Sequence, residues 1–230
     1  MIQLGGAVGS GILFDFGGTL DADGVPWVDR FFVHYRSLGG RLAAGPFRAV
    51  FQASDRTLES VIEPQDGFLE TLDKQTRALT TLLPDGGLVD RAAWTRHMHL
   101  DTLATVGRNA PVLDSLSDRF TLGVVSNFFG NLRAVLDELG LLEFFRCVTD
   151  SNVVGIHKPD PRAFQLTCAG VGLPPSECLM VGDNPFADIQ GAAAISMETC
   201  WLAPADRETP DGVEPTHRIA RFDELLVVLP

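Results

Sequence analysis

An α/β fold with a parallel sheet and an inserted helical subdomain is what the sequence predicts, on two observations. From Thr121 onward, short apolar runs alternate with helix-like segments, the pattern of parallel strands joined by crossover helices. Between Ala22 and Gly107 that alternation is missing, and apolar residues recur at helical spacing instead. The 230 residues suffice for one core plus one insert. The expected division is a core of residues 1–21 and 108–230 and a helical cap of residues 22–107.

The first strand is Gly11-Ile12-Leu13-Phe14, which stops at Asp15. The cap reads as four helices. Val28, Phe31, Phe32, Tyr35 and Leu38 make one stripe, Phe47, Val50, Phe51 and Leu58 a second, and Phe68, Leu69, Leu72, Thr76, Leu79 and Leu83 a third. A fourth runs from Leu88 to about Leu103, and breaks fall at Gly39-Gly40, Pro64 and Pro84 to Gly87. Further strands are expected at Thr121 to Val125, Phe145 to Val148, Cys178 to Val181 and Thr199 to Leu202. Helices lie between them at Asn131 to Leu139, Pro161 to Ala169 and Ile189 to Ile195. Asp160 reads as an N-cap with Pro161 at the first helical position, and Pro204 to Pro215 as a surface loop.

A net charge of −12 argues against nucleic acid or an anionic membrane as partner, since both need a basic surface. The N-terminal stretch has no basic residue before its apolar run, so no signal peptide is expected, and no apolar run is long enough to span a bilayer. None of the four cysteines forms a metal or redox pair, and each sits in an apolar stretch as a reduced thiol would. A cytoplasmic protein is the expectation.

In a parallel sheet the strands end on one edge, and ligands bind outside it. The predicted strands end at Asp15, at Ser126-Asn127, near Asp150-Ser151 with Lys158 in the following loop, and at Gly182-Asp183. Two carboxylates, a hydroxyl and an ammonium therefore meet in one cleft. Paired carboxylates repel unless a cation holds them, and oxygen-only donors suit Mg²⁺. A carboxylate can also attack phosphorus, with lysine and hydroxyl groups holding the phosphoryl oxygens.

Four segments in order carry a family resemblance: Asp15-Phe16-Gly17-Gly18-Thr19-Leu20, Val125-Ser126-Asn127, Lys158-Pro159-Asp160-Pro161, and Gly182-Asp183-Asn184-Pro185-Phe186-Ala187-Asp188. The sequence resembles the haloacid dehalogenase superfamily, in its phosphatase-like branch with an α-helical cap. The resemblance implies a hydrolase of a small phosphorylated metabolite. Asp15 is then the nucleophile, and Ser126 with the Asn127 amide holds the phosphoryl group. Lys158 balances charge. Asp15, the Gly17 carbonyl and Asp183 hold Mg²⁺, and Asp188 acts from behind them, although Asp188 also sits where it could simply favour a helix terminus.

Family phosphatases usually carry a second aspartate two residues after the nucleophile, as general acid and base. Here that position is Gly17. This leaves open a catalytically impaired phosphate- or partner-binding protein. A dehalogenase is disfavoured because Gly17 supplies no aromatic wall. A phosphonate hydrolase is disfavoured because Lys74 falls on the face opposite Leu72 and reads as solvated, at about 100° per helical residue. Asp21 and Asp23 are the first candidates to replace the missing acid. The cap arginines, Arg30 and Arg48 among them, cannot be assigned to the cleft from periodicity.

Overall fold

A computed structural model describes residues 10–229; the N-terminal segment in which no leader pattern was read lies outside them. Six strands form one parallel sheet: β1 (Gly11–Phe14), β2 (Thr121–Ser126), β3 (Cys147–Asp150), β4 (Cys178–Gly182), β5 (Glu198–Leu202) and β6 (His217–Ile219). Their order is β3-β2-β1-β4-β5-β6. Helices cover both faces, so the central strands read as unbroken apolar runs, and all of β1 and β4 is buried. The chain leaves β1 for β2 on one side and later crosses to β4 on the other. A crevice therefore opens at the carboxyl end of β1.

Register does the positioning. Phe14 lies opposite Val124 on β2 and Val181 on β4. Asp15, Ser126 and Asp183 thus leave three adjacent strands within about two residues of one level, some 3.3 Å apiece along the strand. The Asp15 N–H still donates to the Val181 carbonyl at 3.0 Å, so the Asp15 backbone belongs to the rigid sheet.

The cap helices are α1 (Trp27–Ser37), α2 (Ala44–Leu58), α3 (Phe68–Leu82) and α4 (Arg91–Ser117). α4 does not stop near Leu103. It runs unbroken through position 108, carries Pro111, and buries Leu113 and Leu116 in the core. Aromatic rings tie cap to core: Phe16 meets Phe68 at 6.3 Å and Phe128 at 5.5 Å, and Trp27 meets Phe128 at 5.8 Å.

β6 was not anticipated. Three residues with a histidine and an arginine at the sheet edge offer no apolar run to read. The remaining helices include α5 (Leu132–Glu138), α6 (Ser151–Val154) and α7 (Pro161–Val171). The Asp160 side chain caps α7 by accepting from the Arg162 N–H at 3.0 Å. All four cysteines are free thiols.

Candidate active site

Asp15, Ser126, Lys158, Asp183 and Asp188 converge at the crevice, each buried. Asp15 Oδ1 accepts from Ser126 Oγ at 2.8 Å and from Lys158 Nζ at 2.6 Å. The same ammonium reaches Asp188 Oδ1 at 2.7 Å. Asp188 also accepts from the Asn184 N–H at 3.0 Å. Asn127 brackets the backbone of Lys158, accepting from its N–H at 2.8 Å and donating to its carbonyl at 2.9 Å. That pair of bonds aims the lysine into the cleft.

Backbone groups are spent on the same purpose. The Asp150 carboxylate accepts from the N–H groups of Gly130, Leu132 and Asn152, fixing the loop after β2 to the end of β3. Trp201 Nε1 donates to the Asp183 carbonyl at 2.9 Å.

Ligand oxygens of Asp15, Asp183 and Asp188 lie within 4.8 Å of one another. Three carboxylates against one ammonium leave two negative charges. Burial, and then the charges of Asp15 and Asp188, push the Asp183 carboxyl well above its ordinary range. Burial likewise lifts Asp188 to about 6, against the pull of Lys158. For Lys158, burial acts downward, but Asp15 and Asp188 outweigh it and the net direction is up. Such a cluster, all oxygen and short of positive charge, fits a hard divalent cation.

Gly18 makes the approach possible. Its φ is +96°, and a Cβ there would stand 2.6 Å from the Asp183 carboxylate. Gly17 is different, for its φ of −75° suits any residue. What fills the space beside it is the indole of Trp27, with Nε1 3.3 Å from where a Cβ would stand. Gly17 itself supplies no aromatic wall, as expected from the sequence; the ring beside it comes from α1.

Neither proposed replacement acid lines the cleft. Asp21 is fully buried and accepts from the Gly18 N–H at 2.7 Å, Trp27 Nε1 at 2.6 Å and Arg30 Nη1 at 2.8 Å. Asp23 pairs with Arg108 at 2.9 Å and Asn109 at 3.2 Å. Lys74 is not free in solvent: it donates to Asp66 at 2.5 Å and to the Val61 carbonyl at 3.1 Å, away from the cleft.

The cleft holds about 330 Å³ between core and cap. Of its cap wall, sequence reasoning offered only the aromatic stripe that begins at Trp27; it missed Arg48, Phe51, Gln52 and Asp55. Helical periodicity marks which residues share a face, but not which face a second domain covers.

The chain belongs to the haloacid dehalogenase-like hydrolases, whose family model matches residues 10–196. Among curated relatives, pyrimidine 5'-nucleotidase YjjG of Escherichia coli is 34% identical over 116 residues, 50% of this chain and 52% of that one. Phosphoserine phosphatase of Thermus thermophilus is 35% identical over 88 residues, 38% of this chain and 35% of that one. The chain thus spans about half the length, or less, of these relatives. Its fold matches the HAD-hydrolase YfnB of Bacillus subtilis, solved bound to magnesium, with a TM-score of 0.60 at 20% identity over 97% of this chain and 99% of that one. It also matches L-2-haloacid dehalogenase from Xanthobacter autotrophicus, with a TM-score of 0.62 at 17% identity over 96% of this chain and 99% of that one. Among the described residues no helix is long and apolar enough to cross a membrane.

Asp21→Ala strands a buried guanidinium, an indole N–H and a backbone N–H, and is expected to cost about 3–5 kcal/mol, read from urea unfolding. A loss below about 1 kcal/mol would mean that these donors find other partners.

Proposed function

We propose that this hydrolase is a Mg²⁺-dependent phosphatase of a small phosphorylated metabolite, acting through a phospho-Asp15 intermediate. The observation that carries the reading is the cluster of Asp15, Asp183 and Asp188, which has more negative charge than its single lysine balances. Displacement of halide from carbon needs a carboxylate nucleophile but no divalent cation, whereas phosphoryl transfer gives the excess carboxylates a role in holding one. The phosphatase and nucleotidase relatives agree with it.

In this reading Asp15 attacks phosphorus, and Ser126 and Lys158 hold the phosphoryl oxygens. The side chain of Asn127 is committed to Lys158, so its contact with the phosphoryl group falls to its main-chain N–H. Asp15 and Asp183, with the Gly17 carbonyl, would hold Mg²⁺, which supplies charge to the transferring group. Asp188 sets the position of Lys158. The cap of residues 22–107 closes the cleft and selects the substrate. Four free thiols fit a reducing compartment such as the cytoplasm.

Asp15→Asn is expected to lower turnover of p-nitrophenyl phosphate at least about 10³-fold with the fold retained by circular dichroism, because an amide cannot attack phosphorus. Retained turnover would exclude a covalent phospho-Asp15. In parallel, wild type should release phosphate but no halide from 2-chloropropionate; the opposite result would make it a dehalogenase.

The charge imbalance gives a second expectation. Mg²⁺ should raise the melting temperature of wild type. Asp183→Asn should melt higher than wild type without metal, because one buried negative charge is gone, and should lose the Mg²⁺ response. An undiminished Mg²⁺ response in the variant would remove Asp183 from the metal site.

A further inference from the structure

The geometry points to Asp55, on cap helix α2, as the general acid and base that Gly17 does not provide. The inference rests on the phosphatase reading above. The ionisable groups on the cleft wall are Asp15, Asp183, Asp188 and Lys158, all committed to the phosphoryl and metal chemistry, plus Arg48 and Asp55. Arg48 stays charged and pairs with Asp29 at 2.5 Å. Among the described residues Asp55 alone remains to exchange a proton there.

Its orientation is set by a short chain of hydrogen bonds. Ser54 Oγ donates to the Phe51 carbonyl at 2.7 Å, so it must accept from Gln75 Nε2, also at 2.7 Å. That fixes which end of the buried Gln75 amide faces α2, and the same Nε2 donates to Asp55 Oδ1 at 3.2 Å. An oxygen that accepts from an N–H keeps its lone pair, so the acid proton belongs on Oδ2.

Burial lifts the Asp55 carboxyl to about 7, with Gln75 and Arg56 acting against the rise and Glu59 with it. Arg56 on α2 and Glu59 just past its end flank it, Gln75 faces it from α3, and Arg48 and the core carboxylates with Lys158 share its cleft. A pKa near the working pH is what a group needs to give and then take a proton.

The chemistry balances. As Asp15 bonds to phosphorus, the ester P–O bond breaks, and the Asp55 proton goes to the departing oxygen, leaving phospho-Asp15, an alcohol and an Asp55 carboxylate. Water then attacks phosphorus and gives its proton to Asp55. Phosphate leaves, and Asp15 and protonated Asp55 are restored.

The test compares wild type, Asp55→Asn and Asp55→Glu with saturating Mg²⁺ on glycerol phosphate, whose alkoxide needs a proton, and p-nitrophenyl phosphate, whose phenolate does not. Asp55→Asn should lower kcat/KM for the alkyl ester by about 10²- to 10⁴-fold, and the aryl-to-alkyl ratio of kcat/KM should rise by at least about tenfold. It should also show a nitrophenol burst as phospho-Asp15 accumulates, and Asp55→Glu should recover part of the alkyl rate. A rise in KM with kcat unchanged, or equal losses of kcat/KM on both esters, would make Asp55 a binding or structural residue and overturn the inference. Wild type inert toward both esters would instead sink the phosphatase reading, and this inference with it.

A readout independent of turnover is available. Between the ordinary aspartate value of 3.8 and about 7, only the folded state holds the Asp55 proton, so stability falls as pH rises through that window. Asparagine has no such loss. The melting temperature of Asp55→Asn relative to wild type should therefore climb from about pH 4 to pH 7 and then level off. A flat difference would mean that Asp55 is already ionised at neutral pH and has no proton to give.

Discussion

The Asp21 carboxylate is the contact on which the arrangement of this protein turns. It sits at the end of the turn that follows the nucleophile position, without solvent, and takes donors from three places: the Gly18 backbone, the Trp27 indole and the Arg30 guanidinium. Burying a carboxylate is costly unless its lone pairs are satisfied. Satisfying them here draws α1 down onto the turn after β1. Arg30 then reaches on to Asp101 at 3.1 Å and Thr102 at 2.7 Å, which joins α4 to the same network. One buried carboxylate thereby sets both the shape of the turn after β1 and the seating of the cap.

The site beneath it is built in the opposite sense. Asp15, Asp183 and Asp188 are held closer than their charges favour, and Lys158 offsets only part of the repulsion. The sheet register, the Asn127 clamp on Lys158 and the aromatic contacts around Phe16 keep the groups together regardless. Rigidity supplied by packing is what allows an electrostatically unfavourable cluster to persist, and strain of this kind gathers at functional sites.

Trp27 links the two features. Its indole N–H completes the Asp21 network, while its ring closes the space beside Gly17. A residue chosen for packing between cap and core thus also shapes the reaction cleft.

The sheet, its central strands and the convergence of Asp15, Ser126, Lys158 and Asp183 could be read from the sequence, because apolar runs ending in polar residues encode both a buried parallel strand and the edge at which ligands bind. The sequence offered no view of β6, which is three residues long with two polar ones, nor of α4 past Leu103, where Gly107 and Pro111 both disfavour a helix that nonetheless runs through them. Direct bonding of Asp188 to Lys158 was equally hidden, since an aspartate at a helix start has a sufficient local reason to be there. Which cap residues face the cleft was decided only by tertiary structure. Arg30 and Arg48 look alike in sequence, yet one is sealed against Asp21 and the other opens on the cleft. Asp55 and Asp21 differ in the same way. Local pattern fixes the face of a helix on which a side chain lies, but only the docking of one domain on another fixes what that face meets.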